Sequence, residues 1–85
     1  MNTIALYFLL LIPPEDYCGV VYDEAYHVME KRQQGVEYTI LLHDADSVLV
    51  KNAFEHPQYL TENNQESVTI KFAEKHYKLC IGGGE

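Results

Sequence analysis

Positive charge is what this sequence has least of. Six lysine and arginine residues stand against thirteen aspartate and glutamate, a formal net charge of −7. That balance excludes binding through nucleic-acid phosphates or to an anionic membrane surface, both of which need clustered cations. Cysteine is nearly as scarce. Cys18 and Cys80 share no close spacing, so neither a Cys-x-x-Cys redox pair nor a zinc knuckle can be drawn from them. Long apolar runs are missing too. A membrane-spanning helix needs about 20 apolar residues, and the longest run here, Ile4 to Ile12 in "TIALYFLLLIPPEDY", has nine. No charged side chain precedes that run and no small-x-small cleavage site follows it, so it does not read as a secretory signal. A single Cys18–Cys80 disulfide is possible, if an amino-terminal helix packs against a carboxy-terminal strand, but the expectation is a cytoplasmic protein with two reduced, buried thiols.

What is present points to a folded domain. Hydrophobic residues make up 47% of the chain and seven tyrosines join three phenylalanines, a composition that argues for a globule and against disorder. Eighty-five residues make one domain, near the lower limit for a core without staples. It is expected to span residues 1–81, with the glycine-rich residues 82–85 as a flexible tail. The run from Ile4 to Ile12 is apolar on both faces, which reads as a buried central strand.

Pro14, Glu15 and Asp16 read as a helix start and Gly35 as its stop, with Lys31 and Arg32 in the last turn. Cys18, Val21, Ala25, Val28 and Met29 fall on one face, flanked by Tyr17 and Tyr22; Asp16, Asp23, His27, Glu30 and Gln34 fall on the other. Gly19 interrupts this pattern, a cost that close packing against a sheet would explain. "VEYTILLH", residues 36–43, alternates as a strand does, and "DADS" is turn chemistry. In "VLVKNAFEH", Val48 and Val50 favour a strand, although Ser47 could cap a short helix ended by Pro57. Residues 55–67 read as a long polar loop, and "SVTIKFAEKHYKLCI" as a hairpin turning near Glu74 and Lys75. The expected architecture is α+β: one amphipathic helix on a four- to five-stranded, largely antiparallel sheet.

No catalytic set emerges. Cys18 and His27 fall on opposite sides of the helix, so they cannot pair as thiol and imidazole. Ser47 and Ser67 lack a Gly-x-Ser-x-Gly setting, and the terminal glycines are not followed by a helix that could cradle phosphate. His43, Asp44 and Asp46 could hold a divalent metal, which makes a metal- or ligand-binding turn the alternative function, but no cofactor or metal is the primary expectation. The stretch "LYFLLLIPPEDY" resembles the opening strand and following helix of the two-histidine phosphoesterase family. That family's activity rests on two His-x-Thr/Ser motifs, and His27, His43, His56 and His76 all lack the hydroxyl two residues on. The resemblance therefore implies only a strand followed by a helix.

The remaining feature is the acidic helix face. Asp16, Asp23 and Glu30 repeat every seven residues, with His27, Glu24 and Tyr26 beside them. Carboxylates two helical turns apart are separated by about 10.5 Å, a spacing that alternate phosphates along a strand can match. Such a row, bordered by tyrosines, suits docking onto a basic protein surface, such as that of a nucleic-acid-handling protein. In kind, small size and strong acidity resemble phage-type inhibitors of host defence nucleases. The expected function is thus a non-catalytic, phosphate-mimicking inhibitor or regulator that itself binds neither nucleic acid nor membrane.

Overall fold

Proline at the start and glycine at the stop bracket the first helix as their backbone chemistry requires. In a computed structural model that describes residues 14–82, and side chains from Tyr17 onward, helix α1 runs Pro14–Gln33. Gly35 follows with a φ of 90°, a left-handed conformation that side chains other than glycine's rarely adopt. Its N–H donates to the Arg32 carbonyl and that of Val36 to the Lys31 carbonyl, which satisfies the open end of the helix.

Three more helices follow: α2, Tyr38–Asp44; α3, Ser47–Phe54; and α4, Glu62–Ile81. The described residues contain no strand, so the expected α+β fold with its sheet is corrected to an all-helical one. The strand expected at 36–43 is helix α2. The strand favoured at 48–50 is part of α3, capped by Asp46 and not by Ser47: its Oδ1 accepts from the N–H groups of Val48 and Leu49 at 2.9 and 3.1 Å. The hairpin, together with the last residues of the expected polar loop, is the single helix α4. Thr61 starts it, its Oγ1 accepting from the Asn64 N–H at 3.2 Å. The central strand expected at 4–12 and residues 83–85 of the flexible tail expected at 82–85 lie outside the described residues; Gly82 itself caps α4, its N–H donating to the Lys78 carbonyl at 2.9 Å.

Helices α1 and α4 are antiparallel. Cys18 meets Cys80 at one end, Tyr22 lies edge-on to Tyr77, and Gln33 reaches the segment leading into α4 at the other end. The core lies between this pair and the two short helices. Ala25, Val28 and Met29 come from α1, Leu41 from α2, Leu49, Val50 and Ala53 from α3, and Phe72 and Ala73 from α4. A second correction concerns the cysteines. The expected reduced thiols are a Cys18–Cys80 disulfide, with Cα atoms 5.6 Å apart across 62 positions of sequence. In the chain-entropy account, closing a loop of that length stabilises the fold by about 4 kcal/mol. A domain this small, at the edge of what a core alone supports, gains its staple there.

Candidate functional site

The acidic face of α1 does not stay in one piece when the helix packs. Asp23 and His27 are exposed and point away from the core. Glu24 turns to the opposite flank, where its Oε2 accepts from the Asp46 backbone N–H at 3.3 Å and steadies the corner between α2 and α3. Tyr26 and Glu30 are half-buried and lean toward α4, with the Tyr26 ring stacked on Tyr22 at 6.3 Å between centroids. Asp16 belongs to α1, but its side chain lies outside those described. The structure therefore brings together Asp23, His27, Tyr26 and Glu30 on one side and separates Glu24 from them.

What the helix wheel of α1 could not supply is the other wall. Glu30 and Tyr26 face Glu62, Gln65, Glu66 and Thr69 of α4 across a groove of about 220 Å³. Three glutamates thus border one groove, and of the described residues that line it none is lysine or arginine. Gln33 and Gln34 close its end. Two features of α4 hold this wall in place. The Thr61 cap fixes where the helix begins, and the Thr69 hydroxyl donates back to the Gln65 carbonyl at 2.7 Å. Glu62 and Glu66 were hidden in sequence because residues 55–67 read as loop. The detectable signal was Thr61 followed at once by the acidic Glu62, the pattern of a capped helix start.

The alternative turn, His43 to Asp46, joins α2 to α3. His43 and Asp44 end α2 and are exposed, while Asp46 spends one carboxylate oxygen on the cap of α3. Among the described residues no group of three or more His, Cys, Asp or Glu side chains is arranged to hold a metal ion. Nor is any described helix long and apolar enough to cross a membrane. Compared with known proteins, the chain matches no family model, no curated protein and no solved structure.

Proposed function

We propose that this chain is a small non-catalytic binding protein whose acidic α1–α4 surface docks onto a basic surface of another protein and so inhibits or regulates it. The observation that carries this reading is the groove bordered by Glu30, Glu62 and Glu66, with Asp23 continuing the negative strip along α1 and the polar His27 beside it. Negative groups held on two rigid helices are pre-positioned, so little ordering is needed on docking. Their chief effects are on association rate and on the choice of partner. Tyr26, half-buried at the groove's edge, offers an aromatic anchor of the kind interfaces favour. A protein that handles nucleic acid is the partner class with a matching groove, because its own ligand is a row of phosphates. The reading thus keeps the phosphate-mimic, anti-defence type of inhibitor, with the mimicry shared by two helices instead of one.

Compartment follows a different line of support. A cytoplasmic location rested on the absence of an export signal, whereas the Cys18–Cys80 bridge supports an oxidising environment, since cytosolic thiols are kept reduced.

The test is capture of purified nucleases and other nucleic-acid-binding proteins by the immobilised, disulfide-intact protein. Wild type should retain one or more of them, heparin should displace them, and capture should weaken with salt as exposed charge contacts are screened. Changing Asp23, Glu30 and Glu66 together to lysine should abolish capture while the helical circular-dichroism spectrum persists, and Lys51→Glu should not. A charge-reversed variant that captures as well as wild type would overturn the reading.

A further inference from the structure

A second and larger cleft, about 470 Å³, opens on a different face of α4 from the acidic groove. We propose that it binds a small molecule combining a flat ring with a phosphate group, at a site separate from the protein-docking surface. Three observations converge on that chemistry.

The first is charge. Lys71 and Lys75, one helical turn apart, line one wall, which places their side chains on the same face with Cβ atoms about 5–6 Å apart. In a chain with only six lysines and arginines, two converge here, and none of the described lining residues is acidic. Two ammonium groups on adjacent turns match a dianionic phosphate better than a single carboxylate, and lysine serves phosphate as a point charge. Ser67 and Asn64, one and two turns before Lys71 on the same face, add neutral hydrogen-bonding groups.

The second is the apolar part. Phe72 forms the floor with Val68, and His56 stands edge-on to Phe72 at 5.7 Å between centroids. Tyr59 completes an aromatic wall opposite the lysines. Largely apolar pockets of 300–1,000 Å³ with a few convergent polar groups are the usual form of small-molecule sites.

The third is rigidity. The aromatic wall is a loop, yet it is tied to the end of α1 at four points. Arg32 Nη2 donates to the His56 carbonyl at 3.1 Å, Gln33 Nε2 to the Pro57 carbonyl at 2.9 Å, the Tyr59 N–H to Gln33 Oε1 at 2.8 Å, and Gln58 Nε2 to the Gln33 carbonyl at 3.2 Å. Gln65 Nε2 adds a bond to the Tyr59 carbonyl at 2.8 Å. A wall held this way keeps its shape before any ligand arrives.

The experiment titrates the full, disulfide-intact chain with adenosine monophosphate and with phenyl phosphate, read by calorimetry and by amide chemical shifts. At least one of them should bind saturably at or below millimolar concentration and move the amides of residues 56–59 and 64–75. Adenosine and inorganic phosphate, each carrying half of the recognised chemistry, should bind at least about tenfold more weakly. Lys71→Glu with Lys75→Glu should weaken binding by about tenfold or more, and Lys51→Glu should leave it unchanged. Ser67→Trp fills the cleft from an exposed position without altering charge, and it should also remove binding. The proposal is overturned if neither ring phosphate saturates, if inorganic phosphate alone binds as tightly, or if both the lysine and the tryptophan variants bind like wild type.

Discussion

Gln33 and His76 are polar side chains set among apolar ones, and the fold treats them in opposite ways. The Gln33 amide is fully engaged, donating to Pro57 and accepting from Tyr59, so its burial is compensated. The Nε2 of His76 is covered and has no hydrogen-bond partner among the described residues, while its ring lies 4.6 Å from that of Phe72. Burial, and next the charge of Lys75, hold the His76 pKa below the ordinary imidazole value, against an opposing pull from Asp46. The unfolded chain therefore takes up this proton more readily than the folded one does. Stability from this residue is complete above about pH 6.5, the unfolded imidazole's range, and declines as pH falls through the lowered native value. Urea melts between about pH 7.5 and about pH 5.5 should show wild type losing stability and His76→Leu losing less over that interval. Equal losses would remove His76 as the source. Neither residue's role was legible in the sequence, where Gln33 is one more polar residue near a helix end. Which partners a buried amide finds depends on a loop 24 to 26 positions away.

Helix α1 was legible because its signals agree: proline at the start, glycine at the stop, and an apolar stripe from Cys18 to Met29, about three turns. Cys18, Ala25, Val28 and Met29 of that stripe are buried, and Val21 is half-buried at its margin. The other three helices were misread as strands or loop for a physical reason. In "VTIKF" the apolar residues alternate, and over five positions a period of 2 cannot be told from one of 3.6. The longer set, Gln65, Val68, Thr69, Phe72, Ala73 and His76, follows the helical period and packs inward. Asp46 and Thr61 carried the cap signals that would have favoured helix over the β-branched character of Val48, Val50 and Ile70. The reason given for Gly19 also changes, since an added Cβ there would meet no described atom within 4 Å. Gly19→Ala should therefore stabilise the protein by about 0.5–1 kcal/mol, the helix-propensity difference, read as a melting temperature a few degrees higher. A lower melting temperature would show that the position is crowded after all.

For the whole molecule, the layer architecture was not legible from length, composition and short-range pattern. A sheet needs partner strands, and every strand assigned beyond the amino-terminal run rested on short alternations that the helices absorb. The Cys18–Cys80 pairing could be drawn as a possibility, but choosing it over two reduced thiols depends on α1 and α4 running antiparallel, which the short alternations of the sequence concealed. Reduction should consequently matter. Dithiothreitol should lower the melting temperature by more than about 15 °C, from a loss of about 4 kcal/mol in a domain of this size. An unchanged melting curve would mean that helix packing alone sets the stability.

The same bridge changes how the chain responds to being cut. From Cys18 through the four helices to Cys80 and back across the sulfurs, the chain forms a covalent ring. Exposed points such as Gly35 and Leu60, which is 98% exposed, lie inside that ring. A single cut there opens the ring but releases nothing. Both helices of the long pair stay attached to each other, and the acidic surface they share is not separated. Shedding a piece of the ring takes two cuts, or one cut and a reductant.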